Sequence, residues 1–436
     1  MTDSHVTCPV VRIRDFDQAL RFDRSRSIVN APEMFAGVPS DPDNGRINVR
    51  EFLEGSVVFT DGPEHRDRRK MLNRLIRPEA LVAIREDMII PAACDYLLTR
   101  LQAPDEGGVH RADLVDLCHR TFLHFTAKLI GLVGIETAEG LGRLSACAGP
   151  LAAGTSSQFL QDRPAVNDMA IEAKARYVDD FYRPSYQKAL ETQARVDRGE
   201  LAPEDAPVNI MSLIVSGADP AYLDEHTAVI ETTMMFAASV GTSTQSIIHT
   251  IDFLDDWFRR HPEDIERRTD RTFLLNALQE TIRLRAPFSP YNTRMVAEDC
   301  EIAGHQLRKG QEVHIERVAA NRDQSIFGTD ANEFNPLRKT PGQGAQRYGI
   351  GFGSGAHQCF GLRVVLGVDG AGGAHVELLR LLYLAGIEPD HDRDPVDLKK
   401  NMDKFSVEDI PRYTSYPVVF TTYDPMVVRD IAARTT

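Results

Sequence analysis

A chain of 436 residues holds one large domain or two or three ordinary ones, and 42% hydrophobic residues suffice for a buried core. The formal net charge of −14 excludes a protein built as a whole to coat nucleic acid or an anionic membrane. No run of about 18 apolar residues predicts a membrane span. The start, Met1-Thr2-Asp3-Ser4-His5, lacks the basic and apolar regions of a signal peptide. The six cysteines (Cys8, Cys94, Cys118, Cys147, Cys300, Cys359) are scattered without a CxxC pair, which speaks against a zinc site or disulfide framework and for a reducing cytoplasm.

Val10 to Arg26 begins with apolar–polar alternation and turns helical around Phe16-Asp17-Gln18-Ala19-Leu20. Residues 30–46 are rich in Pro, Gly and Asn, and a loop of that length predicts binding. Asp61 is then placed to cap a helix carrying the basic run His65-Arg66-Asp67-Arg68-Arg69-Lys70. Residues 78–141 read as helical with breaks at 103–108 and 131–134, and 151–195 as two helices around Asp162-Arg163-Pro164. Asp219-Pro220 predicts the start of a long helix reaching about Arg260. Its middle, Ala237-Ala238-Ser239-Val240-Gly241-Thr242-Ser243-Thr244, is small and hydroxylic, which predicts a kink and freed carbonyls. A further helix is predicted over about 272–285, short strands around 299–307 and 312–317, an irregular stretch over 319–340, and a hairpin over 413–422. No repeat, low-complexity run or linker appears. The expected fold class is mainly α with small β-sheets (α+β), as a single domain over 1–436.

Tyr348 to Gly361 is a glycine-dense loop with Cys359 near its end, followed by the apolar run Leu362 to Leu366. A helix start supplies free amides and a positive dipole end to a thiolate. The glycines let something large and flat approach the backbone. Four readings stand on these residues: a buried structural cysteine, a dinucleotide loop through a loose GxGxxA at Gly351 to Ala356, a catalytic thiol with His357 as base, or the axial ligand of a metal macrocycle.

Phe352-x-x-Gly355-x-His357-x-Cys359-x-Gly361 closely resembles the haem-thiolate loop of the cytochrome P450 family, and other motifs fall in that family's order. Glu280-Thr281-Ile282-Arg283, just before Leu284-Arg285-Ala286-Pro287, resembles its ExxR helix. Ala320-Asn321-Arg322-Asp323 with Phe327, Phe334 and Arg338 resembles its meander. The resemblance covers roughly Phe59 to the end. It implies a P450-like fold with haem b (iron protoporphyrin IX) between a long central helix and the Cys loop. Cys359 would be the axial thiolate, pushing electron density onto the iron to favour O–O cleavage. Phe352, Gly353, His357 and Gly361 would shape the loop around the ring. His65, Arg69 and Arg294 match the family's propionate partners, since two carboxylates drawn out of water need cationic donors. Glu280, Arg283 and Arg338 would form a structural triad that locks the loop.

Three departures from the family pattern stand out. The long helix keeps Thr242, but Gly241 stands where the family has an acid and Ser239 where it has a glycine. The acid–alcohol pair relays protons in the family, and Gly241 has nothing to titrate. Glu231, about three turns upstream, is too far to substitute. A proton would then come from the substrate, another residue or a water chain; otherwise peroxide would be the oxidant, or the reaction a radical coupling or ring closure. Secondly, the segment ahead of Val10 is shorter than the family usually has, which predicts a reduced first sheet and substrate mouth. Thirdly, Gly370-Ala371-Gly372-Gly373 falls where the helix after Cys359 should continue; mid-helix glycines cost about 1 kcal/mol each, so a break is expected there.

By analogy with the family, the substrate pocket would draw on the 30–53 loop, residues 154–159, Met235, Phe236, Ser239 and Val240 of the long helix, Phe288 and Tyr291 in the 287–292 segment, and Tyr416. These mixed apolar and hydroxylic side chains suit a medium-sized, partly polar organic substrate. The basic residues Arg66, Arg68, Lys70, Arg74, Arg77, Arg347 and Arg363 would form a docking patch for an acidic iron–sulfur protein. The expected activity is a cytoplasmic haem-thiolate monooxygenase using O2 and a ferredoxin, its reductase and NAD(P)H, with no nucleic-acid or membrane partner. The alternatives are a peroxide-driven peroxygenase and a haem-binding protein with little turnover.

Overall fold

The computed structural model describes residues 10–30, 49–101, 103–155, 163–286, 291–341, 344–368, 371–398 and 410–434. Its central element is a helix of 36 residues, Glu225–Arg260, which starts where the Asp224 carboxylate accepts the Thr227 N–H and ends in Arg259 and Arg260. It begins later than the sequence predicts. Asp219-Pro220 instead opens a short 3-10 turn, Pro220–Leu223, with Asp219 accepting from Ala221 N. The helix runs unbroken through Gly241, where the sequence predicts a kink, and Ser239 and Thr242 turn their hydroxyls back onto the Met235 and Ala238 carbonyls.

Helices Leu114–Ile130 and Ala138–Gly154 pack along the long helix. Arg163–Tyr177 runs through a π-helical turn, Val178–Tyr182, into Arg183–Asp197. A second π segment, Ile84–Ile89, precedes Ile90–Thr99. Pro184 and Pro91 sit at the start of the helices that follow these two segments, and a proline without an N–H lets the ladder shift register there. Leu117, Phe122, Ile247, Ile251, Phe273, Leu278 and Leu382 belong to the large helical core.

A four-stranded sheet has the order β1-β7-β4-β2, where β1 is Val11–Ile13, β2 is Ile28–Val29, β4 is Asn292–Val296 and β7 is Glu312–Ile315. β1 is parallel to β7 and the other pairings are antiparallel. Ile13, Val313 and Ile315 close a second core with Phe16 and Phe22 from the helix Phe16–Arg24. β3 (His110–Asp113) lies inside the stretch read as helical. It pairs with β13 (Pro417–Phe420), which also pairs with β10 (Ile387–Pro389). The predicted terminal hairpin is therefore corrected: β12 (Tyr413–Ser415) pairs with β11 (Val396–Asp397), not with β13.

The helix after Cys359 is five residues long, Leu362–Leu366. The chain then forms β8 (Gly367–Val368) and β9 (Ala371–Gly372), paired antiparallel, before a helix resumes at Ala374–Leu384. The expected break is present and begins three residues ahead of the glycine run, whose Gly370 lies outside the described residues. Most of the 30–53 loop, residues 156–159 and Phe288 lie outside them too.

Candidate active site around Cys359

The helix Arg271–Leu284, capped by Asp270 at Phe273 N, carries Glu280 and Arg283 on the same buried side. Glu280 Oε1 accepts from Arg283 Nη2 at 2.7 Å and from Arg338 Nε at 2.9 Å, and Oε2 accepts from Arg283 Nε at 2.8 Å. Arg283 continues to the carbonyls of Asn321 (2.7 Å) and Ala331 (2.6 Å), with its guanidinium over the Phe327 ring. Arg338 continues to Phe327 O and Asp330 Oδ1, both at 2.6 Å. Two cations thus share one buried carboxylate, and the remaining donors find carbonyls, the condition under which buried charges are tolerated. The next link is Asn321, whose part the sequence did not reveal. Its Nδ2 donates to Arg283 O at 3.1 Å, and its Oδ1 accepts the Ile350 N–H at 2.8 Å. The triad is thereby tied to the Cys359 loop. Gly349 is required there: its φ is +58°, and a Cβ would lie 2.1 Å from Asn321 Oδ1.

Cys359 N donates to Phe352 O at 2.8 Å, closing the loop on itself. Burial pushes the thiol up, while the Gly361 and Leu362 amides and the guanidiniums of Arg69 and Arg317 pull it down. The residue nevertheless keeps exposed surface. Phe352 is buried and packs edge-on against Tyr348. Gly353 (φ +66°) donates its N–H to Ile350 O. Gly361 approaches the sulfur closely enough that a Cβ there would be in contact at 3.8 Å.

A cationic cradle surrounds the loop. His357 and His65 pack at a tilt of 34° with centroids 4.1 Å apart, and His357 Nε2 meets Asp61 Oδ1 at 2.8 Å. Asp61 stands at the cap position of the helix Gly62–Leu72 but makes no side-chain cap bond, because its carboxylate serves His357 and the Asn30 N–H. His65 is pushed down to about 4 by burial first and by the nearby His357 and Arg69 charges second. Arg69 donates to Gln358 O at 2.6 Å and lies over Phe360. Arg294, on β4, lies 3.9 Å from Asp23, and Asp23 accepts the Ser354 N–H at 3.0 Å. Burial holds Arg294 below its ordinary range and lowers Arg317 to about 10. Asp23 and Arg317 carried no sequence signal; their place comes from the fold alone. Three guanidiniums and two imidazoles thus gather near two carboxylates and one thiol. That donor set fits a metal macrocycle with two anionic arms, bound axially by Cys359.

On the long helix, Thr242 Oγ1 donates to Ala238 O at 2.6 Å and Ser239 shares a 2.5 Å hydrogen bond with Thr126 of Leu114–Ile130. Ser239 thus knits two helices together. Ala238 is exposed while Ala228 to Phe236 and Ser243 to Ile251 are buried, so the small residues open one side of an otherwise enclosed helix. Glu231, about two turns before Ala238 along the helix, accepts from Val57 N at 2.9 Å.

Several expected lining and docking residues are placed elsewhere. Phe236 is 1% exposed and packs edge-on against Tyr177, so it is core. Tyr416 is buried with its hydroxyl on Asp252 at 3.0 Å. Tyr291 stacks on His314 in the four-stranded sheet. Met235 and Val240 are buried beside the opening of the helix. Arg68 is withdrawn from the docking patch: it is buried, pairs with Asp219 and Glu64, and lies over Tyr222. Arg347 is partly buried and donates to the Arg338 carbonyl. Arg66, Lys70, Arg74, Arg77 and Arg363 are exposed.

A family model described as Cytochrome P450 matches residues 255–365. A cytochrome P450, CYP199A2, of Rhodopseudomonas palustris is 26% identical over 311 residues, 70% of this chain and 64% of that relative. Linalool 8-monooxygenase of Pseudomonas putida is 34% identical over 138 residues, 30% of each chain. The alignments thus span less than two thirds of these relatives. Among solved structures, CalO2 superposes with a TM-score of 0.67 at 18% identity, over 95% of this chain and 91% of that one. P450BioI in complex with an acyl carrier protein carrying hexadec-9Z-enoic acid gives 0.65 at 18%, over 94% and 91%. Residues 255–365 thus resemble the cytochrome P450 family, and the chain has the fold of the P450 structures on which it superposes. Haem b is the cofactor of that family, and the thiol and cations around Cys359 suit it.

Proposed function

We propose that this protein is a haem-thiolate monooxygenase that oxidises a small organic substrate, by hydroxylation or oxidative coupling, with O2 and electrons from a ferredoxin, its reductase and NAD(P)H. The observation that carries this reading is Cys359, exposed, with its sulfur held by two amides and faced by Arg69 and Arg317, while Arg294, His65 and His357 gather around the same loop. Bound haem supplies oxygen activation; the residues bind, orient and tune. Cys359 would hold the iron, and the amides donating to its sulfur would keep the thiolate charge in check. Arg69, Arg294 and His65 would hold the propionates. Thr242, on the open side of the long helix, has the hydroxyl that can hold a water or pass a proton. The exposed Arg66, Lys70, Arg74, Arg77 and Arg363 would steer an acidic electron carrier despite the net negative charge. Among the described residues no helix is long and apolar enough to cross a membrane, and the setting proposed is the cytoplasm.

A ferrous–CO spectrum tests the reading. The wild type should give the red-shifted Soret band of a thiolate-ligated haem and Cys359→Ser should lose it; a chain that takes up no haem overturns the function. Gly241 favours a second reading, in which peroxide replaces O2 and reductant. Turnover with hydrogen peroxide but none with ferredoxin, reductase and NAD(P)H would establish it over the first.

A further inference from the structure

Gly241 has a neighbour that haem binding does not explain. A Cβ built on Gly241 would lie 3.9 Å from Arg412 Nη2, its one contact beyond its own helix among the described residues. The main chain around Arg412 is clamped to the long helix. Gln245 Nε2 donates to Tyr413 O at 2.8 Å, Tyr413 N donates to Gln245 Oε1 at 3.0 Å, and His249 Nε2 meets Pro411 O at 2.9 Å. Gln245 and His249 follow Gly241 by about one and two turns, so the guanidinium reaches back along the helix to the side where Ala238 is exposed.

Among the described residues no carboxylate pairs with the guanidinium; Asp397 accepts the Arg412 main-chain N–H at 2.9 Å. Arg412 keeps exposed surface while the protein packed around it lowers its pKa, so the guanidinium is reachable yet partly drawn out of water. The other cation acting on His249, Arg285, is already paired with Asp252 at 2.5 Å. An acid at 241 would have filled the fork from within the chain; glycine leaves its five planar donors to a ligand. One unengaged guanidinium suits a monoanion, and a planar carboxylate matches its geometry in bidentate fashion.

We propose that Arg412 binds a carboxylate of the substrate and holds it beside Gly241, so that the substrate class is an organic acid. This rests on the haem-thiolate reading above. The ligand then brings the acid group that the long helix lacks, next to Thr242.

The test uses the haem-loaded full chain and two probes that coordinate iron through imidazole, 3-(imidazol-1-yl)propanoate and its methyl ester, titrated by the red shift of the Soret band. The carboxylate should bind roughly tenfold tighter than the ester or better, the range of a charge-assisted hydrogen-bonded pair. Arg412→Ala should erase that preference and leave ester binding unchanged, while Arg412→Lys should keep part of it. Gly241→Asp should also erase it, by pairing with Arg412, and carries the test if Arg412→Ala does not fold. Ester and carboxylate binding equally, or a preference surviving in Arg412→Ala or Gly241→Asp, overturns this inference alone. No Soret shift with either probe and no thiolate CO band overturn the haem-thiolate reading and this inference with it.

Discussion

The loop that carries Cys359 is bound to its surroundings residue by residue, through Asn321 to Arg283, through Ser354 to Asp23 and through Gln358 to Arg69. The middle of the long helix is the reverse. Ala238 and Gly241 present almost nothing, Thr242 bonds back onto its own helix, and Arg412 stands beside them with no counter-ion among the described residues. The difference teaches where each side can vary. A metal ligand must be held in one geometry, so its support is over-determined. A substrate must come and go, so the opposing side keeps its polar groups unspent.

The largest expected effect on this contrast is at Glu280. Glu280→Gln leaves two buried guanidiniums short of a charge and should cost about 3–5 kcal/mol in denaturant unfolding, with poor haem retention. A loss under about 1 kcal/mol would mean that the triad is not what secures the loop. Gly349→Ala comes next. A left-handed φ of +58° costs about 1–2 kcal/mol for a side-chain residue, and displacing Asn321 from Ile350 adds about 1 kcal/mol. A total near 2–3 kcal/mol is expected.

His375 is an exception on the well-bonded side. It stacks on Phe122, and among the described residues neither ring nitrogen finds a hydrogen-bond partner. His375→Leu should stabilise the protein by about 1–2 kcal/mol. Burial lowers His375 to about 3 from 6.5, so the unfolded chain takes up its proton first as pH falls. His375 therefore adds no titration penalty above pH 6.5 and a growing one as pH falls towards 3. The variant's unfolding free energy should decline less across that window. The smallest change is Gly241→Ala, where the helix has room. It should stabilise by about 0.5–1 kcal/mol, opposite in sign to Gly349→Ala. Equal signs for the two glycines would erase the contrast between the two regions.

What was legible in the sequence follows the same division. The Cys359 loop, the Glu280–Arg283 pair and the meander require particular residues at fixed spacings, so their pattern survives in one dimension. Asp23, Asn321, Arg317 and Arg412 meet their neighbours only through pairings far apart along the chain. β3 looked like part of a helical stretch because its strand character comes from β13, some 300 residues on. Arg68 was misjudged because Arg66, Arg68, Arg69 and Lys70 look alike in sequence, and only packing chooses the side that turns inward.

The clamp between the 411–413 segment and the long helix has a mechanical consequence. Pro411 and Tyr413 engage His249 and Gln245, residues one helical turn apart. A helix repeats its surface about every 5.4 Å, so that strand cannot creep along it by small amounts. It either stays in its notch or releases all three bonds together and drops into the next, which makes it a ratchet tooth rather than a hinge.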